Sequence, residues 1–125
     1  MSKKILVVDD QQMLLDVLTE ALELGGYESV TANNGLKALA LLNENDINLV
    51  ITDMRMPGMD GWEFCKKARE ISSAPFIMLT GLGKPNIEPG MEGLVDAFLG
   101  KPIEIRALLE QVDSLIASRH TVFGA

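Results

Sequence analysis

Five side chains of this sequence could do chemistry together: Asp9 and Asp10 in "LVVDDQQ", Asp53 in "VITDMR", Thr80 in "IMLTG" and Lys101 in "FLGKP". Each motif carries an apolar run the length of a short strand, and the polar residue stands at its end. Three carboxylates in one cleft repel and raise one another's pKa. A divalent cation removes that cost. All-oxygen ligands with room for water suit Mg²⁺, which keeps several waters and takes one or two carboxylates. Cys and His, the ligands of softer metals, are absent from the cluster. Lys101 and Thr80 would then offer an ammonium and a hydroxyl to an anion beside the metal, a set suited to a phosphoryl group.

Such a site exists only if the fold brings the five residues to one place. Residues 4–9 read as a buried strand. Leu14, Val17, Leu18, Ala21 and Leu22 recur at helical spacing and predict a helix over 11–24, stopped by Gly25-Gly26. Residues 27–32 alternate as a strand does, "NNG" turns the chain, and a helix follows over 36–44. A strand over 47–53, the loop "MRMPGMDG", a helix over 61–71, a strand over 74–80 and a strand over 94–100 come next. Pro102 opens a last helix to about Ser118, with Ile105, Leu108, Leu109, Val112 and Leu115 or Ile116 on one face.

The segment between the last two strands, "GLGKPNIEPGMEGLV", is poorly patterned. Pro89 inside a helix would cost about 3 kcal/mol, and Gly90 and Gly93 roughly 1 kcal/mol each. The expectation there is a loop over 81–87 and a shortened, irregular helix of at most two turns from about Glu88.

Five alternations of strand and helix imply a parallel sheet with helices on both faces. Five strands suit the doubly wound, flavodoxin-like order 2-1-3-4-5, whose ligands bind beyond the carboxyl ends of the strands at the switch point. Asp9, Asp10, Asp53, Thr80 and Lys101 all fall at that edge. Taken singly, each has a plain structural account: a turn former or helix cap for Asp10, a strand end for Thr80, a solvated surface residue for Lys101. Nothing in those separate roles requires them to converge.

The 125 residues suit a single domain over 1–125 with its core at about 4–118. With 11 basic and 18 acidic residues the net charge is −7, which disfavours direct nucleic-acid binding. No apolar run approaches the ~20 residues of a membrane helix, and the run in "MSKKILVV" is too short for a secretory signal. A cytoplasmic location is the expectation. Cys65 is the sole cysteine, so no internal disulfide is possible, and its helix spacing marks it as core. Met54, Met56 and Met59 read as packing. Trp62 reads equally as packing or as an exposed anchor for a partner. His120 has no acidic neighbour in sequence and no expected chemistry.

In this order and spacing, "LVVDD", "DMRMPGMDG", "LTG" and "FLGKP" resemble a response-regulator receiver domain of two-component signalling, over about residues 4–118. The resemblance implies that Asp53 accepts a phosphoryl group from the phosphohistidine of a histidine kinase or phosphotransfer protein. It implies that Asp10, Asp53 and the backbone carbonyl of Arg55 ligate Mg²⁺, with Asp9 acting mainly through water. Thr80 and Lys101 would hold the phosphoryl oxygens. Phe98 would be the switch aromatic that follows Thr80, and the Lys101–Pro102 bond would be cis. The chain would not be an enzyme beyond its own phosphorylation and dephosphorylation. Its output would pass to a protein partner, or to an output domain missing from this chain.

The sequence departs from the family pattern in places. Gln11 stands where many relatives have a third acidic residue, and Gly81 where Ala is commoner. Phe98 lacks the hydroxyl of a Tyr. Three other readings compete. A flavin binder of the same strand order would need a hydroxyl- and glycine-rich loop where "DDQQ" stands. A haloacid-dehalogenase-like hydrolase would need Asp-x-Asp and a cap domain. A receiver-like module could bind partners without being phosphorylated.

Overall fold

A computed structural model describes residues 3–81 and 92–124. In chain order the elements are β1 (Lys4–Val8), α1 (Gln12–Leu24), β2 (Glu28–Ala32), α2 (Gly35–Glu44), β3 (Leu49–Asp53), α3 (Gly61–Arg69), β4 (Phe76–Thr80), a 3₁₀ turn (Glu92–Leu94), β5 (Ala97–Gly100) and α4 (Ile105–Gly124). The strands form one sheet in the order β2-β1-β3-β4-β5, with every neighbouring pair parallel. This is the predicted doubly wound order.

The alternation of side chains along each strand divides the core in two. Ile5, Val7, Leu49, Ile51, Ile77 and Leu79 face one way and pack under α1 and α4, against Leu15, Leu18, Leu22, Leu108 and Val112. Leu6, Val8, Val50, Phe76 and Met78 face the other way and pack under α2 and α3, against Ala38, Leu42, Phe64, Cys65 and Ala68. Both faces being covered explains why the inner strands β1, β3 and β4 are mostly apolar, whereas the edge strand β2 alternates polar and apolar residues. Each fully buried Leu or Ile contributes roughly 1.5–3 kcal/mol.

The helix boundaries follow local chemistry. Asn34 and Asp60 cap α2 and α3 by accepting from the N–H groups of Lys37 and Glu63, at 2.8 and 2.9 Å. Gly26 ends α1 with φ +92°, a conformation few other residues tolerate. Cys65 is buried, and Met56 is core with Met54 and Met59 packed against it. Among the described residues no helix is long and apolar enough to cross a membrane.

Several expectations need correction. Val17 is half-exposed at 51%, and Leu15 takes its place in the core. Leu15, Leu18 and Leu22 form the true stripe, and Val17 lies about 100° off Leu18. β5 begins at Ala97 rather than residue 94. Leu94 closes the 3₁₀ turn, and Asp96 is held to the head of β4, donating to the Phe76 carbonyl and accepting from the Phe76 N–H. The last helix starts at Ile105, not Pro102, because the first helical bond runs from Leu108 N–H to the Glu104 carbonyl. It continues to Gly124, past Ser118. Trp62 is buried, its ring 6.1 Å from that of Phe98, which removes it as an exposed anchor. The loop over 82–87 and the short helix from Glu88 lie outside the described residues.

Candidate functional site

Strand register carries the five predicted residues to one edge. Val8 pairs with Thr52 at the end of the β1–β3 ladder, so Asp9 and Asp10 follow β1 just where Asp53 completes β3. Asp53 pairs with Leu79, and Thr80 with Gly100, which puts Thr80 and Lys101 beside it. The Lys101 N–H donates to the Thr80 carbonyl at 2.8 Å and fixes the start of the β5–α4 connection. The Lys101–Pro102 bond is cis, as the resemblance implied.

One carboxylate oxygen from each of Asp9, Asp10 and Asp53 lies within 4.8 Å of the others. Asp9 is wholly buried, Asp53 nearly so, and Asp10 exposed. Lys101 Nζ stands 3.2 Å from Asp53 Oδ2 and 3.6 Å from Asp9 Oδ2. Asp9 Oδ1 accepts from the Gln11 N–H at 2.8 Å. Asp9 Oδ2 is buried and accepts no hydrogen bond. At 3.6 Å the Lys101 ammonium attracts it without satisfying it. Burial pushes the Asp9 carboxyl above its ordinary value; the Gln11 N–H opposes this, Asp53 adds to it, Lys101 opposes it and Asp10 adds to it.

Three carboxylates against one ammonium leave an excess of two negative charges. An orphaned buried oxygen, an exposed carboxylate and an all-oxygen donor set fit a hydrated divalent cation of the Mg²⁺ kind. Arg55 is exposed, in the loop after β3. Thr80 is buried, with its hydroxyl 3.5 Å from the Leu99 carbonyl, a weak bond that leaves the group free to serve another acceptor. Phe98 lies opposite Met78 on β5, on the same face of the sheet as Thr80. Asp10 does not cap α1, whose cap position is Gln11.

Two residues at this edge escaped the sequence reading. Thr52 is fully buried and donates to the Asp53 carbonyl at 3.1 Å. Gly61 opens α3 against the same oxygen. Their signals were a hydroxyl in an otherwise aliphatic strand, and a glycine at a helix position where most residues do better.

Comparison with known proteins agrees with this geometry. The family model described as response regulator receiver domain matches residues 5–113. The chain is 40% identical over 115 residues to the transcriptional regulatory protein CpxR homolog of Haemophilus influenzae, covering 90% of this chain and 50% of that protein. It is 38% identical over 125 residues to the transcriptional regulatory protein ResD of Bacillus subtilis, covering 98% of this chain and 52% of that one. The chain thus spans about half the length of the curated relatives it matches. Among solved structures, a response regulator receiver domain protein of Clostridium thermocellum superposes with a TM-score of 0.88 at 31% identity, covering 96% of this chain and 98% of that one. A CheY-like receiver domain protein of Methanospirillum hungatei superposes at 0.86 with 29% identity, covering 97% and 98%. Sheet order, acidic cluster and family match all point the same way, and the chain belongs to the response regulator receiver domain family.

Proposed function

We propose that the Asp53 carboxylate accepts a phosphoryl group from a phosphohistidine of a histidine kinase or phosphotransfer protein. The observation that carries this reading is Lys101 Nζ at 3.2 Å from Asp53 Oδ2, inside a cluster of three carboxylates. An Asp53 oxygen attacks phosphorus, the P–N bond breaks, and the imidazole nitrogen keeps the electron pair. The product is an acyl phosphate. Such a transfer needs positioning and charge neutralisation more than covalent help.

Lys101 attracts the phosphoryl oxygens and frees the carboxylate of part of its repulsion toward them. The Thr80 hydroxyl donates to a phosphoryl oxygen. Asp10, Asp53 and the Arg55 carbonyl would hold Mg²⁺, with Asp9 acting mainly through water, and the ion would supply the remaining neutralisation. Water later attacks the same phosphorus, the P–O bond to the acyl oxygen breaks, and orthophosphate leaves as the Asp53 carboxylate is restored. The change is passed through Thr80 and Phe98 to a downstream protein or an output domain, in a cytoplasmic setting.

The test is labelling by a small donor. With Mg²⁺ and acetyl phosphate, the intact mass should rise by one phosphoryl group. Chelator should prevent this, and Asp53→Asn should abolish it. A label that persists in Asp53→Asn would assign the wrong acceptor.

A further inference from the structure

The main chain of Asp53 is gripped by two residues outside the carboxylate cluster. The N–H groups of Val50 and Met54 donate to the Pro75 and Leu79 carbonyls of the β4 segment, at 2.9 and 3.1 Å. Peptide groups alternate sides along a strand, so those of Asp53 face β1. The β1–β3 ladder, however, ends at Val8 opposite Thr52. At that point the Thr52 hydroxyl, wholly buried, donates to the Asp53 carbonyl oxygen at 3.1 Å. Gly61 packs against the same oxygen. A Cβ there would lie 2.4 Å from the same oxygen and 3.0 Å from Met54 Cα, inside van der Waals contact. The Gly61 N–H meanwhile donates to the Met54 carbonyl at 2.9 Å.

We infer that Thr52 and Gly61 are positioning residues for the phosphoacceptor, a hydroxyl and a bare Cα together locking the Asp53 carbonyl. That carbonyl shares a rigid peptide plane with the Met54 nitrogen. Turning the plane re-aims the Asp53 backbone and the Met54–Arg55 step together, the two parts of the chain assigned to the cation. A buried hydroxyl needs a partner, and Val would fill the same space without one. The value of Thr at position 52 is therefore the bond it makes, not the volume it fills. The inference rests on Asp53 being the acceptor.

The experiment compares Thr52→Val, Thr52→Ser and Gly61→Ala with the parent chain. Three quantities are read: the initial rate of labelling by acetyl phosphate, the Mg²⁺ concentration giving half the Mg²⁺-induced rise in melting temperature, and the melting temperature in chelator. Thr52→Val should label about tenfold more slowly and need several-fold more Mg²⁺, because small misplacements of reacting groups cost one to two orders of magnitude. Thr52→Ser should restore both to near parent values, and Gly61→Ala should resemble Thr52→Val. Parent-like labelling and Mg²⁺ response in Thr52→Val would overturn the inference. So would Thr52→Ser as impaired as Thr52→Val, since that marks a packing role. If Gly61→Ala fails to fold, the two Thr52 variants decide. A parent chain that binds Mg²⁺ without labelling would overturn the acceptor reading alone, and the Mg²⁺ arm would still test the positioning.

Discussion

Lys101 Nζ stands 3.2 Å from Asp53 Oδ2, the closest approach of opposite charges at the carboxyl edge of the sheet among the described residues. The pair is largely shielded, with 28% of the Lys101 side chain and 10% of that of Asp53 exposed. In metal-free protein Lys101 is also the cation facing Asp9. Lys101→Ala should therefore destabilise the chelated protein by about 1–3 kcal/mol, between the values for exposed and buried pairs. Denaturant unfolding in chelator checks this, and an unchanged midpoint would contradict it.

Mg²⁺ should raise the melting temperature, because a cation held by the folded cluster would relieve its repulsion. At a concentration one hundred times the dissociation constant the gain is about 2.7 kcal/mol. Asp10 is exposed, so Asp10→Asn should leave the melting temperature in chelator nearly unchanged while removing most of the Mg²⁺ increment. Thermal scans of both proteins with and without Mg²⁺ separate these effects. Equal melting of the parent chain in Mg²⁺ and in chelator would refute the metal assignment.

Asp9→Asn should stabilise the metal-free protein at neutral pH. Asp9 has a folded pKa raised above 3.8 by burial first of all, with an unsatisfied Oδ2. A raised pKa means that the folded state binds the proton more tightly. The associated stability is present in full below the unfolded pKa and is lost as pH rises through the folded one. At pH 7 the carboxylate is thus a net cost, which Asn removes while keeping an oxygen for the Gln11 N–H. Unfolding in chelator from pH 4 to 8 should show a smaller loss of stability in Asp9→Asn than in the parent.

Tyr27 is the chain's one tyrosine, so ultraviolet absorbance titrates it without interference from another phenol. Its hydroxyl donates to Asp113 Oδ1 on α4. Burial, the hydrogen bond and the Asp113 charge together push its pKa up to about 12. The stability linked to this proton is full below about pH 10 and is lost as pH rises from there toward 12. Asp113→Asn should move the titration midpoint back toward 10. A parent midpoint near 10 would show that the contact is not kept in solution.

Much of this was legible in the residues. Period and turn chemistry set the elements, the rule for five alternating strands and helices gave the sheet order, and the strand ends set the positions of Asp9, Asp10, Asp53, Thr80 and Lys101. What escaped depends on contacts distant in sequence. The start of β5 is decided by Arg69 on α3, which donates to the Leu94 carbonyl through Nε and Nη2 at 3.2 and 2.8 Å and to the Ala74 carbonyl through Nη1 at 2.6 Å. It also meets the Asp96 carboxylate at 3.2 Å and lies over the Phe76 ring at 4.6 Å. No pattern within residues 94–100 contains that information. Val17 was misassigned because Val17 and Leu18 are both apolar, and only one of two adjacent helix residues can face the sheet.

The central place of β1 has a consequence for the order of synthesis. Ile5 pairs with Ser29 on β2, made 24 residues later, and with Leu49 on β3, made 44 residues later. At about 5–20 residues per second, Ile5–Val8 wait roughly 1–5 s for the first partner and roughly 2–9 s for the second. An aliphatic run with an open edge is an aggregation hazard, and flanking charges suppress it. Lys3 and Lys4 stand before the run, Asp9 and Asp10 behind it. Replacing both aspartates by Asn removes carboxylate repulsion from the folded site, yet it should increase light scattering when unfolded chains are diluted from denaturant. That outcome would make the acidic pair a flanking charge for the unfolded strand as well as part of the folded site's carboxylate cluster.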